Sequence, residues 1–124
     1  MGYIVFAPGG KVGAVGEANL IESDDIEGAV AYALAAKMLG FKMVYLEAGS
    51  GVDSPVDSTI IRAVRQAIPE LILIVGGGMR TGELAQASAR AGADWIVTGN
   101  LTEEYDDASE LENVMRKYIQ TMRE

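Results

Sequence analysis

Residues 71–78 read Leu-Ile-Leu-Ile-Val-Gly-Gly-Gly, an unbroken apolar run that ends in three glycines. A strand with one solvated face would alternate apolar and polar residues, and this run does not alternate. A continuous apolar stretch of this length is typical of a parallel strand that is covered on both faces. The segment therefore predicts a buried strand, followed by a glycine loop in which a ligand can approach the backbone closely.

Three further apolar runs have the same character, and segments with helical spacing separate the four runs. The other runs are residues 3–7, 43–46 and 95–97, and the predicted helices start near 23–25, near Ser54-Pro55, at Thr81 and near Asp107, ending at Gly40, Pro69, Gly92 and Met122. This β-α order predicts an α/β fold with four parallel strands and right-handed crossovers. We expect one domain, residues 1–124, with one long connection, residues 8–22, of the kind that often carries function.

Length and composition exclude several classes of protein. The 124 residues are too few for a complete eight-stranded (β/α) barrel, which needs roughly 250. The chain has no histidine and no cysteine, so it has no Ser-His-Asp triad and no zinc cluster of the usual kind. A net charge of −8 argues against nucleic acid as a partner, and no apolar run is long enough for a transmembrane segment. We therefore expect a cytoplasmic protein.

Glycine follows each predicted strand, and two of these junctions favour phosphate binding. Gly76-Gly77-Gly78 ends the third strand and Gly99-Asn100 ends the fourth. In many β/α barrels a phosphate lies between the loops after the last two strands, held by backbone N–H groups. Such a site allows even an acidic protein to bind an anion. The alternative is that these glycines are turn residues only.

The segment Tyr45-Leu46-Glu47-Ala48-Gly49-Ser50-Gly51 holds the second candidate site. Strand alternation places Tyr45 and Glu47 on one face of the sheet and Leu46 on the other. A carboxylate on an interior face is costly unless it is paired or functional, so Glu47 is a candidate general base or hydroxyl acceptor. Glu47 could instead cap a neighbouring loop or pair with Arg80. Ser50 could donate a hydrogen bond to an alcohol or a phosphate.

Four motifs together resemble the archaeal geranylgeranylglyceryl phosphate synthase family, whose superfamily includes the bacterial heptaprenylglyceryl phosphate synthases. They are residues 45–51, Ile-Val-Gly-Gly-Gly-Met-Arg at 74–80, Ala-Gly-Ala-Asp at 91–94 and Val-Thr-Gly-Asn at 97–100. The resemblance covers nearly the whole chain but only the C-terminal half of the family, strands five to eight of a (β/α)8 TIM barrel. It implies a magnesium-dependent transferase that moves a prenyl group from its diphosphate to the 3-hydroxyl of sn-glycerol 1-phosphate.

The resemblance also implies roles for individual residues. Glu47 is the implied catalytic base, and the implied substrate-binding residues are Tyr45, Ser50 and Gly51 for the glycerol and Gly76, Gly77, Gly99 and Asn100 for its phosphate. The family holds magnesium and the diphosphate through residues on earlier strands, so we expect no metal ligands in this chain and no appreciable activity of the chain alone. The sequence departs from the family at Ala7-Pro8-Gly9-Gly10, so the resemblance assigns no role to the first loop.

Four strands cannot close a barrel, so we expect the chain to be completed by a second copy of itself, as a homodimer or larger assembly, or by the missing N-terminal half. Two other functions compete with the acceptor-binding half of a prenyltransferase. One is a natural or engineered half-barrel that self-associates and binds phosphate without catalysis. The other is a phosphate-handling barrel such as those of tryptophan or histidine biosynthesis, against which the segment at 45–51 argues.

Overall fold

The computed structural model describes all residues, 1–124, as four strands and six helices in β/α order. The strands are β1 (Gly2–Val5), β2 (Met43–Glu47), β3 (Ile72–Gly76) and β4 (Trp95–Val97). The helices are α1 (Gly10–Val15), α2 (Ile26–Met38), α3 (Ser58–Ala67), α4 (Gly82–Ala91), α5 (Asn100–Glu103) and α6 (Ala108–Arg123). The predicted α/β class with four β/α units is confirmed.

The four strands form one parallel sheet in the order β1-β2-β3-β4. Each strand therefore pairs with the strand that follows it in the chain, and the four carboxyl ends meet at one edge. The strand bounds differ from the predicted runs by one or two residues, and β3 continues into Gly76. In register, Val5 of β1 lies beside Glu47, and Glu47 lies beside Gly76.

Side-chain caps set the starts of the four longer helices. Asp25, Asp57, Thr81 and Asp107 each accept a hydrogen bond from a backbone N–H two or three residues ahead. The predicted start at Ser54-Pro55 is wrong by about three residues, because Asp57 caps α3. The predicted connection at residues 8–22 also needs correction, since it contains the helical turns of α1. That helix has no side-chain cap and begins at Gly10, directly after Gly9, with both glycines at positive φ, so the usual start signal is missing.

The helices cover one face of the sheet and bury the core there. Leu46, Leu73 and Val75 are fully buried under this layer, with Ile60, Ile61 and Val64 of α3 packed among them. These side chains belong to one contiguous apolar cluster, which is the single core that a small domain can build. None of the helices is both long and apolar enough to cross a lipid bilayer.

The opposite face of the sheet has no helix against it. Tyr3, Tyr45, Ile74 and Trp95 are register partners across the four strands and form one row on this face. Trp95 is 57% exposed, although aromatic side chains are usually covered in a parallel sheet. Exposure on this face is greatest on the edge strands β1 and β4, whereas Ile74 of β3 is only 5% exposed, so the predicted burial of β3 on both faces is confirmed. We call this row the bare face.

Candidate functional site

The loops at the carboxyl ends of β2, β3 and β4 enclose a small pocket of about 150 Å³. The pocket is lined by Tyr45, Glu47, Ser50, Val52, Gly77, Gly78, Met79, Arg80, Val97, Gly99 and Asn100. Six of the eight predicted site residues are among them. The other two, Gly51 and Gly76, do not line the pocket: the Gly51 N–H faces Asn100, and a side chain at Gly76 would overlap the Tyr45 hydroxyl.

The Glu47 carboxylate is buried at the end of β2, with only 5% of the residue exposed. Its Oε1 accepts a hydrogen bond from the Gly49 N–H at 2.7 Å, and its Oε2 accepts one from the Tyr3 hydroxyl at 2.9 Å. The predicted alternative of a pair with Arg80 does not occur, whereas the loop-capping alternative does. Each carboxylate oxygen can accept more than one hydrogen bond, so Glu47 retains acceptor capacity toward the pocket.

Tyr3 and Tyr45 stack beneath Glu47, with their ring centroids 4.6 Å apart and their planes 19° from parallel. Burial, together with the hydrogen bond to Glu47, raises the pKa of Tyr3 to about 12. Burial and the negative charge of Glu47 also raise the pKa of Tyr45. Both phenols therefore stay neutral in the physiological range and can act as hydrogen-bond donors.

Tyr3 is a site residue that the sequence reasoning missed. Its hydroxyl reaches across 44 residues of chain to Glu47. The signal that could have found it is strand alternation: Tyr3 is the register partner of Tyr45, so the two aromatic side chains must share a face. That signal needs the register between β1 and β2, which the residue pattern of β1 does not specify.

Close contacts within the chain require glycine at some positions of the site and not at others. Gly77 has φ of +83°, and a Cβ there would overlap Oε1 of Glu47 and the backbone of Gly49. Gly77 thus allows the loop after β2 to rest on the loop after β3. At Gly99, in contrast, a Cβ would meet nothing within 4 Å. The chain's own packing does not require glycine at position 99, and its absent side chain leaves room in the pocket.

Asn100 joins two of the loops. Its side-chain oxygen accepts a hydrogen bond from the Gly51 N–H at 3.1 Å, which ties the loop after β2 to the start of α5. The side-chain amide nitrogen of Asn100 has no partner within the chain. Two N–H donors are therefore available beside the pocket, next to the backbone of Gly99.

The acidic side chains of this chain do not converge into a metal site. No group of three or more carboxylates lies close enough together to hold an ion. The chain therefore offers no side-chain cluster that could enclose a magnesium ion without oxygen ligands from water or a substrate.

Comparison with known proteins agrees with this geometry. The chain is 52% identical over 107 residues to a geranylgeranylglyceryl phosphate synthase of Methanothrix thermoacetophila, which covers 86% of the chain and 42% of the relative. The structure of wild-type geranylgeranylglyceryl phosphate synthase (GGGPS) from Thermoplasma volcanium superposes on this chain with a TM-score of 0.88 at 47% sequence identity. The superposition covers 97% of this chain and 47% of that structure. The Thermoplasma acidophilum enzyme, solved in complex with sn-glycerol-1-phosphate, gives a TM-score of 0.89 at 44% identity over the same shares.

Four parallel β/α units with helices on one face and glycine loops at the carboxyl ends of the strands define half of a (β/α)8 barrel. The chain belongs to the PcrB family, whose sequence pattern matches residues 1–121. It spans a little under half the length of the relatives it matches.

Proposed function

We propose that this chain is the C-terminal, sn-glycerol 1-phosphate-binding half of a prenyltransferase that makes geranylgeranylglyceryl phosphate. The observation that carries the proposal is the buried Glu47 carboxylate, which faces a pocket whose other walls are glycine loops. Glu47 suits the glycerol hydroxyl, and the backbone around Gly77, Gly99 and Asn100 suits the phosphate. The complex of a related enzyme with sn-glycerol-1-phosphate supports the choice of ligand.

In the proposed reaction the 3-hydroxyl oxygen of the glycerol attacks the first carbon of the prenyl chain. The bond between that carbon and the diphosphate oxygen breaks, and diphosphate leaves with the electron pair. Glu47 accepts the hydroxyl proton as the new carbon–oxygen bond forms. Tyr3 and the Gly49 N–H hold the carboxylate in place for this role, because each donates to a different oxygen of Glu47.

We expect the chain alone to lack appreciable transferase activity. The leaving diphosphate needs cationic stabilisation, which the family resemblance assigns to magnesium. No three carboxylates of this chain lie together as a ligand cluster for that ion. Product formation by the purified chain from a prenyl diphosphate and sn-glycerol 1-phosphate would contradict this expectation.

A ligand titration tests the proposed binding site. We expect sn-glycerol 1-phosphate to shift the backbone amide NMR signals of Ser50, Gly77 and Gly99. Inorganic phosphate is expected to bind more weakly, because it lacks the glycerol hydroxyl groups that would donate to Glu47. The variant Glu47→Gln is expected to lose this preference, and Glu110→Gln, on the exposed side of α6, is the matched control. Equal affinity of the wild-type chain for both ligands would instead favour a half-barrel that binds phosphate generally.

The bare face favours a second property, completion of the barrel by another copy of the chain. Trp95 and Val97 on β4 are 57% and 43% exposed, and no strand lies beside the outer edges of β1 and β4. Only the end of the β1 edge is paired, where the Val5 carbonyl oxygen accepts a hydrogen bond from the Ile21 N–H. In a two-fold pair, β4 of each copy would lie beside β1 of the other with all eight strands parallel. This arrangement would remove both edges and cover the apolar row.

Light scattering of the purified chain tests self-association. A dimer is expected, and Trp95→Glu should shift it to monomer, because the substitution places a charge in the proposed interface. The control Arg62→Glu places a carboxylate on the exposed side of α3, which packs between α2 and α4 of the same chain and away from both sheet edges. A wild-type chain that stays monomeric at high concentration would contradict self-association and leave the proposed ligand site unaffected.

A further inference from the structure

Arg80 is the one basic side chain that lines the pocket. Its guanidinium group donates from Nε to the Val52 carbonyl oxygen and from Nη2 to the Gly51 carbonyl oxygen, both at 3.4 Å. It also lies 3.6 Å from the Asp53 carboxylate and 3.7 Å from that of Glu104. Arg80 thus connects the loop after β3, where it resides, with the loop after β2 and with the residue that follows α5.

We propose that Arg80 is a positioning residue that holds the loop of residues 50–53 against the pocket. The proposal rests on the proposed function, because it assigns Arg80 a part in binding sn-glycerol 1-phosphate. Arg80 would act through the backbone of Gly51 and Val52, so that Ser50 stays on the pocket wall. It is therefore distinct from the groups that we expect to touch the glycerol.

The contacts of Gly51 show why this loop depends on polar anchors. Gly51 has φ of +79° and is exposed, and a Cβ placed there would meet nothing within 4 Å. Side-chain packing therefore does not hold this part of the loop. Its N–H donates to the side-chain oxygen of Asn100, and its carbonyl oxygen accepts from Arg80. Two side chains from different loops thus fix the two polar groups of one residue.

Arg80 also affects the charge at the rim of the pocket, where an anionic ligand would enter. Asp53 and Glu104 would leave the rim of the pocket negative if no cation lay between them. The guanidinium group is between the two and remains partly open to solvent, with 39% of the side chain exposed. It therefore offsets both carboxylates while it holds the loop. A planar group with several fixed donors can make these contacts together, whereas the single ammonium group of lysine cannot.

The test compares Arg80→Lys and Arg80→Gln with the control Arg116→Gln. Arg116 is an exposed α6 residue that pairs with Glu112. In the ligand-free chain, we expect both Arg80 variants to speed exchange of the Gly51 amide with water about tenfold, measured by NMR. We also expect both to weaken sn-glycerol 1-phosphate binding about tenfold, as for loss of hydrogen bonds to a charged group. Arg116→Gln should change neither value.

Three results would overturn the proposal. Wild-type affinity in Arg80→Lys would mean that only the positive charge matters. Weaker binding with unchanged Gly51 exchange would mean that Arg80 does not hold the loop. Unchanged affinity with faster exchange would mean that the loop position has no effect on binding.

The exchange measurement needs no ligand, so it still decides the positioning role if the wild-type chain fails to bind sn-glycerol 1-phosphate. Arg80 is partly exposed, and Arg80→Lys decides the matter if Arg80→Gln does not fold.

Discussion

Replacing Gly77 by alanine should damage the site far more than the same change at Gly40. Both glycines have a left-handed backbone, with φ of +83° at Gly77 and +80° at Gly40. A non-glycine residue in this conformation costs roughly 1–2 kcal/mol, and that cost is shared by the two variants. Gly40 follows α2 far from the pocket, and a Cβ there would meet nothing within 4 Å. Gly40→Ala is therefore a control for backbone strain alone.

At Gly77 the added Cβ meets the site itself. It would lie 2.5 Å from Oε1 of Glu47 and 2.6 Å from the Gly49 nitrogen, where ordinary contact begins near 3.4 Å. The carboxylate and the loop must therefore move apart by close to 1 Å, and the 2.7 Å hydrogen bond between them is lost. A hydrogen bond to a charged group contributes about 1.5–3 kcal/mol. We expect a total loss of about 3–5 kcal/mol for Gly77→Ala, from strain and hydrogen bond together.

Urea denaturation followed by circular dichroism measures both variants. A chain of this size has a free energy of unfolding of roughly 6–19 kcal/mol, so both variants should remain folded in water. The slope of the free energy of unfolding against urea concentration should stay unchanged, because neither substitution alters the surface exposed on unfolding. Gly77→Ala should also shift the Gly49 amide NMR signal, while Gly40→Ala should leave it in place. Equal losses of stability in the two variants would refute the reasoning, because the contact with Glu47 would then carry no cost.

Three further predictions follow from single contacts. Because the pKa of Tyr3 is raised to about 12, the folded state holds this phenol proton more tightly than the unfolded state. The contribution of Tyr3 to stability should be constant below pH 10 and be lost as the pH rises from 10 to 12, and Tyr3→Phe should reduce the alkaline loss of stability in denaturation curves. Arg65 donates to four backbone carbonyl oxygens and to the Asp94 carboxylate, so Arg65→Ala should lose about 2–3 kcal/mol of stability while the exposed control Arg62→Ala loses almost none. Gly99→Ala should leave the melting temperature within about a degree or two of wild type, because the added methyl group meets no atom of the chain. The same change should weaken sn-glycerol 1-phosphate binding at least tenfold in calorimetry, and unchanged binding would show that Gly99 is not part of the site.

The strands and most of the pocket could be predicted from sequence because their causes are local. An apolar run such as residues 71–75 specifies a strand, and a following glycine marks the end where ligands bind in parallel folds. Helix α1 could not be predicted, because it starts from glycines at positive φ without a capping side chain. The start of α3 was misplaced because Ser54-Pro55 and Asp57 both resemble helix starts, and only the packing of the loop selects the second.

The contacts between loops could not be predicted from the sequence, for a different reason. Tyr3 reaches Glu47, and Asn100 reaches Gly51, across 44 and 49 residues of chain. Such pairs are set by sheet register and loop conformation together, which no short motif encodes. The bare face was likewise expected only as a consequence of strand number. Its aromatic row emerges from the register of Tyr3, Tyr45, Ile74 and Trp95.

The charge distribution of the pocket supports the proposed binding of a phosphate ester, even though the net charge of the chain is −8. The pocket wall holds one acid, Glu47, and one base, Arg80, so most of the acidity lies elsewhere, including on the exposed faces of α6. Glu47 cannot be a phosphate ligand, because two like charges in a buried pocket repel each other. It can accept a hydrogen bond from a neutral hydroxyl. The pocket is therefore suited to a ligand that carries an anion at one end and an alcohol at the other, and we expect selectivity for the glycerol ester over free phosphate to depend on this one carboxylate.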